Sequence, residues 1–354
     1  MIKTTAVTLK SPERFMVTWD TGRRCNYDCS YCESTRHDNS SALHSYEELL
    51  ATFNFIKEYS RIYGDLVNIN FTGGEPTVNP SFWKLAEHIK NNESRFRLSL
   101  TTNGAWHPKN TNRIADIFEG VTISYHAEAD PKLKEQVKEN IRLLKEKSIW
   151  LQVNVMMHVD YFDECISLCN ELKDLGVKHN PRPIGDGNIE RKGWFIDRDG
   201  SSRRTSHEYS EEQQEWYFNY LGIPNLTKEQ REGTQLGRSC CGGRCLKGKV
   251  NGEWTDVSHI DTNFYDWYCS INHFFLHIDQ HTGNVYHHQT CQALHNKERG
   301  ALGNLNDTQR IIDYANNNLG KTIICPNQRC GCGMCVPKAK DELDYRDIFI
   351  QHVS

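Results

Sequence analysis

Apolar positions in the first half of the chain switch repeatedly between the period of a strand and the period of a helix. Phe15–Asp20 is a short β-prone run that leads into a cysteine-bearing loop. Over Tyr46–Tyr63, the residues Leu49, Leu50, Phe53 and Ile56 recur at helical spacing. Leu66–Phe71 predicts a strand, stopped by Gly73-Gly74-Glu75-Pro76. A helix over Ser81–Lys90 follows, then a strand over Phe96–Leu100 that ends at Thr101-Thr102-Asn103-Gly104. The alternation continues with a helix at Asn110–Phe118, a strand at Val121–Tyr125, a helix at Lys132–Lys147 and a strand at Leu151–Met157. A helix at Asp163–Leu175 and a strand at Val177–Arg182 complete it. Six βα units with short turns predict an α/β fold, a parallel sheet with helices outside that forms a partial (β/α)6 barrel. In such folds chemistry gathers at the C-terminal ends of the strands, where the motifs below fall.

Beyond about residue 183 the pattern breaks. Gly185–Arg204 is rich in Gly, Asp and Arg and predicts a loop, and Glu208–Tyr220 predicts a helix. Phe274–Ile278 and Val285–His288 flank Gln280-His281-Thr282-Gly283, a hairpin pattern, and a helix is expected at Asp307–Asn317. The expected organisation is a barrel core over 1–205, a linking helix and loop over 206–240, and a smaller cysteine-rich domain over 241–354.

Composition narrows the function. The net charge is −4, which argues against a general polyanion-binding surface but leaves a nucleotide or nucleic acid in a specific pocket open. Mean hydropathy is −0.69 and no apolar run is long enough to span a bilayer. The N-terminal segment lacks the apolar core of a signal peptide. A soluble, cytoplasmic protein without a membrane partner is expected. Fourteen cysteines, clustered and not spread, then point to metal or iron–sulfur binding in a reducing compartment.

Cys25, Cys29 and Cys32 form C-x3-C-x2-C. Three thiolates on one loop can hold three irons of a cubane cluster and leave the fourth iron open to a small ligand. Zinc is the alternative, with His37 or His44 as further ligands. The pattern, with the aromatic Tyr31 before the third cysteine, resembles the signature of the radical SAM superfamily. Cys-Asn-x-x-Cys-x-Tyr-Cys is similar to its SPASM/twitch branch, which includes anaerobic sulfatase-maturating enzymes and peptide maturases. The resemblance covers about residues 15 to 185.

That resemblance implies a radical SAM barrel with a [4Fe–4S] cluster on Cys25, Cys29 and Cys32, one iron open, and S-adenosylmethionine (SAM) bound to it. Gly73 and Gly74 would let the backbone approach the ligand, and Glu75 would receive the SAM amino group. Tyr31, Thr102, Asn103, Ser124 and Asn154 would complete the SAM pocket. His126-Ala127 stands where sulfatase-maturating relatives carry Asp-Gly, so the substrate does not follow by analogy. His126, at a strand end beside the pocket, is the best acid/base residue.

The distal cysteines resemble a SPASM/twitch auxiliary-cluster domain, in a looser match. At least one auxiliary [4Fe–4S] cluster is implied, on Cys269, Cys291, Cys332 and Cys335, with Cys330 able to replace Cys332. Gly300-Ala301-Leu302-Gly303-Asn304-Leu305 resembles that domain's "lGN" stretch. Cys240 and Cys241 could return a hydrogen atom to a substrate radical. The expected reaction is reductive cleavage of SAM to a 5′-deoxyadenosyl radical that abstracts hydrogen from a peptide or small molecule. A flavodoxin or ferredoxin would supply the electron. Modification of a nucleotide or nucleic-acid base by the same chemistry, a non-catalytic electron-transfer protein and a zinc-binding module are the alternatives.

Overall fold

Strict alternation of side chains makes the strands two-faced, and that property positions the site. The structure, a computed structural model, describes residues 4–9, 15–32, 37–64, 66–184, 194–196, 202–204, 207–222, 236–238, 246–257, 259–261, 263–287, 301–325, 336–344 and 346. Its first elements are β1 (Ala6–Leu9), β2 (Phe15–Asp20), α1 (Tyr46–Ser60), β3 (Val67–Thr72), α2 (Pro80–Asn92) and β4 (Phe96–Thr102). There follow α3 (Thr111–Ile117), β5 (Gly120–His126), α4 (Pro131–Lys145), β6 (Trp150–Met157), α5 (Phe162–Asp174) and β7 (Lys178–Pro183). Strands β2 to β7 follow one another in sequence order within one sheet. Pairing is parallel from β4 to β7, with Ser124 opposite Asn154 and Asn154 opposite Asn180. The expected α/β architecture with a parallel sheet is present, as in a radical SAM partial barrel.

The chain divides into two compact units. One comprises Asp20–Leu50 and Ile69–Leu226; the other comprises Met1–Trp19, Ala51–Asn68 and Thr227–Ser354.

In the first unit, Ile69, Phe71, Leu98, Leu100, Val121, Ile123, Val153 and Val155 are buried. Phe71 meets Phe82 edge-on at 5.2 Å and Phe82 stacks on Phe118 at 6.2 Å, so helix α2 seats on this apolar face. The intervening side chains, Asn70, Thr72, Ser99, Thr101, Thr122, Ser124, His126 and Asn154, are only half-buried. This polar face distinguishes the sheet from a closed barrel, whose interior is packed with branched apolar side chains. Helix starts are fixed locally. Asn79 and Asp130 cap α2 and α4 by accepting from Ser81 N (2.9 Å) and Lys132 N (2.8 Å), each followed by a proline.

The second unit contains a six-stranded sheet in the order 253–256, 246–250, β1, 338–339, 268–269, 323–324. Val7, Val257, Phe264, Trp267 and Cys325 pack together beside it. The hairpin expected around Gly283 is present. Its strands are Phe275–Asp279 and Asn284–Tyr286, with His277 opposite Tyr286 and Gly283 at φ +70°. Residues 303–304 of the "lGN" stretch add a third strand, and Asn304 Nδ2 donates to Thr282 O at 2.9 Å.

Two boundaries differ from expectation. Ile271–Phe274 is a helical turn, so the first hairpin strand starts at Phe275. Within the expected loop at 185–204, Trp194–Ile196 pairs antiparallel with Ser202–Arg204. The short Trp-Phe-Ile run favours a strand, and the Gly, Asp and Arg around it hid that preference.

Candidate functional site

The cysteine loop begins where β2 ends. Its backbone is laced to the segment after β3: Thr21 N donates to Thr72 O (2.8 Å), Gly74 N to Gly22 O (2.8 Å) and Glu75 N to Arg24 O (2.8 Å). This lacing explains the two glycines. A Cβ on Gly73, whose φ is +130°, would come within 2.6 Å of Gly22 O. A Cβ on Gly74 would fall on the carbonyl oxygens of Arg23 and Arg24. The close approach read from sequence as an approach to a ligand is thus, in the first instance, an approach of one loop to another.

Glu75 is buried at the seam. Its Oε1 accepts from Thr77 N (3.1 Å), Thr77 Oγ1 (2.6 Å) and Thr102 Oγ1 (2.8 Å), and its Oε2 accepts from Asn103 N (2.7 Å). Burial raises the Glu75 pKa, and the four donors oppose that rise. A carboxylate offers about four lone-pair sites over two oxygens, and Oε2 here receives a single donor among the described residues, so capacity for an ammonium group lies on that oxygen. Asn103 then ties β4 back to the cysteine loop. Its Nδ2 donates to Asn26 Oδ1 at 2.7 Å and lies 4.0 Å from Cys25 Sγ.

Cys25, Cys29 and Cys32 are half-buried free thiols. Cys32 N donates to Cys29 O at 3.0 Å, closing the loop tightly. Desolvation, with added repulsion from the neighbouring thiols, pushes the Cys25 thiol up to about 11 and the Cys29 thiol further. Three thiols in mutual electrostatic reach and shielded from water suit a cationic, sulfur-seeking group that would take them as thiolates. Among the described residues, no three His, Cys, Asp or Glu side chains converge as ligands of a single ion. His37 and His44, the further ligands of the zinc alternative, face Asp28 (3.3 Å) and Glu48 (3.8 Å). The donor set fits an iron–sulfur cubane, in which each thiolate binds a different iron.

His126 ends β5 against this loop. Its Nδ1 lies 2.6 Å from Tyr31 Oη and 3.4 Å from Cys29 Sγ, and the Tyr31 and His126 rings stack at 5.9 Å. Desolvation lowers the imidazole pKa to about 4. Ser124 and Asn154 sit side by side on the polar face of β5 and β6, where Asn154 Oδ1 accepts from Gln152 Nε2 at 3.0 Å. The structure therefore brings together Tyr31, Gly73, Gly74, Glu75, Thr102, Asn103 and His126 around the three cysteines. Lys134 pairs with Glu164 (2.8 Å) and Arg142 with Glu171 (2.6 Å).

Residues not singled out from sequence also join the site. Glu128 Oε1 accepts from Ser30 N, inside the cysteine loop, at 2.9 Å. His158 lies 3.7 Å from Glu128 Oε2, and the ring of His207 meets that of His158 edge-on at 4.4 Å. Backbone donors Asp160 N and Val159 N reach Nδ1 of His158 (3.2 Å) and of His207 (3.1 Å), which orients both rings. Position after β5 was the available signal for Glu128; His207 had none. Asn26, between the first two cysteines, could have been read from the motif itself.

A family model described as the radical SAM superfamily matches residues 19–179. Over that stretch the chain is similar to a radical SAM domain. Around it, similarity to curated proteins is partial. The 7-carboxy-7-deazaguanine synthase of Methanothermobacter thermautotrophicus is 31% identical over 155 residues, 43% of this chain and 54% of that protein. A GTP 3′,8-cyclase of Aquifex aeolicus is 25% identical over 167 residues, 44% of this chain and 51% of that protein. The chain thus spans about half the length of the curated relatives it matches. The solved structure of a histidine-tagged anSMEcpe with bound AdoMet covers 87% of this chain and 79% of its own, at 17% identity and a TM-score of 0.49.

In the second unit, Cys269 is buried among Ile271, Val336, Phe275 and Ile323. Cys291, Cys330, Cys332 and Cys335, its expected co-ligands, lie outside the described residues, as do Cys240 and Cys241. No helix among the described residues is long and apolar enough to cross a membrane.

Proposed function

We propose that this chain is an enzyme that reductively cleaves SAM at a [4Fe–4S] cluster on Cys25, Cys29 and Cys32. The observation that carries the reading is the hydrogen-bonded seam from Cys25 through Asn26, Asn103 and Thr102 to Glu75, beside three shielded thiols. When bound, the cluster and SAM supply a 5′-deoxyadenosyl radical able to take hydrogen from an unactivated C–H bond. The protein's share is placement. Glu75 Oε2 receives the SAM ammonium, and the Gly73-Gly74 backbone holds that carboxylate at a fixed distance from the thiols. Tyr31, Ser124 and Asn154 line the ligand's path along the polar face, where hydroxyls and amides can hold ribose and carboxylate groups. The buried apolar face and its helices keep this frame rigid, so little reorganisation accompanies the reaction.

The substrate is a peptide or small molecule in the first reading. An auxiliary cluster on Cys269, Cys291, Cys335 and Cys332 or Cys330 would accept an electron from the product radical or anchor substrate. A barrel over 1–205, a link over 206–240 and a cluster domain over 241–354, in the cytoplasm with a flavodoxin or ferredoxin as donor, belong to the same reading. A second reading, in which a guanine-type base is modified, is favoured by the names of the curated relatives, which carry deazaguanine and GTP.

Anaerobic reconstitution with iron and sulfide, followed by incubation with SAM and dithionite, tests the proposal. Formation of 5′-deoxyadenosine is expected. Iron uptake without SAM cleavage would leave an electron carrier instead. Separate incubations with GTP-type substrates and with peptides, read by mass spectrometry, divide the two substrate readings.

A further inference from the structure

His126 has one ring nitrogen facing two partners, and they make opposite demands on it. Nδ1 lies 2.6 Å from Tyr31 Oη, which can donate or accept, and 3.4 Å from Cys29 Sγ. As a cluster ligand, Cys29 has no proton and offers lone pairs alone. A bare Nδ1 would then point its own lone pair at a thiolate. A protonated Nδ1 would instead donate to that sulfur and leave Tyr31 oxygen to share the proton or turn its rotatable O–H away. The arrangement with hydrogen on Nδ1 is the one that satisfies both neighbours. Cys25 has a different arrangement: it accepts from a backbone donor, Tyr27 N, at 3.4 Å.

We propose that His126 donates its Nδ1–H to the Cys29 thiolate and thereby raises the reduction potential of the N-terminal cluster, acting as a positioning residue. The inference rests on the cluster site proposed above. Hydrogen bonds to cluster sulfurs favour the reduced, more negative state, because the donor's positive end offsets the added electron. The stacked Tyr31 ring and the edge of Tyr27, 5.7 Å from the imidazole, hold the donor in place. In this role His126 need not exchange a proton with substrate, which replaces the acid/base function expected from its position in the sequence.

The experiment is a potentiometric titration of the reconstituted full chain, followed by electron paramagnetic resonance, after iron and sulfide content are measured. His126→Phe keeps a ring without a donor, and His126→Asn keeps an N–H donor near the Nδ1 position. A hydrogen bond to a charged group suggests that His126→Phe lowers the reduced-to-oxidised ratio about tenfold at a fixed potential, ~59 mV for one electron. His126→Asn should recover most of that loss. Equal potentials for His126→Phe and the unaltered chain at full iron loading would overturn the inference, as would equal shifts in both variants. If His126→Phe fails to load iron, His126→Leu supplies the donor-free comparison. Failure of the unaltered chain to bind any cluster would remove the cluster reading itself, and this inference with it.

Discussion

The described cysteines occupy two contrasting settings. Cys25, Cys29 and Cys32 are half-buried and have Asn103, His126 and the Glu128-held Ser30 backbone around them. Cys269 and Cys325 are buried beside Ile271 and Val336, and beside Val7, Phe264 and Trp267. A thiolate needs nearby dipoles or a metal to exist, whereas a thiol among hydrocarbon side chains behaves as a small apolar residue. Membership of a cysteine-rich sequence does not by itself decide which of these a given cysteine is. Its neighbours do.

The contrast can be broken most forcefully at the first site. Cys29→Ala should abolish the N-terminal cluster and bring 5′-deoxyadenosine formation to background, read by absorbance and product analysis. Next in size is Gly74→Ala, which sets a methyl against the Arg23 and Arg24 carbonyls. A loss of about 3 kcal/mol is expected for such a backbone clash, measured by thermal melting, with iron retention falling alongside. Glu75→Gln removes the charge while keeping an oxygen for Asn103 N. Loss of one charge-assisted contact should raise the apparent Kd for SAM by roughly tenfold to a hundredfold, with cluster content unchanged, measured by calorimetry. The second setting is sharpened by a pair of variants. Cys269→Ala should lower iron content by one cluster if the auxiliary site exists, whereas Cys325→Val should leave iron unchanged and alter stability by less than about 1.5 kcal/mol. Equal iron in both would return Cys269 to the role of a buried apolar residue.

Much of the frame was readable from periodicity. Phe71, Leu98 and Ile123 are buried at alternate positions with half-buried polar neighbours, and that pattern alone defines strands with one face under helices. The cysteine loop and the Glu75 segment were readable because their chemistry is compressed into a few adjacent residues. Glu128, His158 and His207 were not, since their roles arise where separate strand ends and a distant loop meet, and a single histidine carries no spacing. The reason for Gly74 was also hidden. The sequence shows a glycine that some neighbour must require, and the Arg23 and Arg24 carbonyls, fifty residues upstream (roughly), are that neighbour.

The amides of Gly74 and Glu75 end on the carbonyls of the cysteine-bearing segment. Opening either loop therefore breaks bonds belonging to both, so the two should unfold locally as one cooperative element. Mass action then couples their occupants: whatever clamps the thiols slows solvent exchange at the Gly74 and Glu75 amides and pre-orders the carboxylate for its ligand.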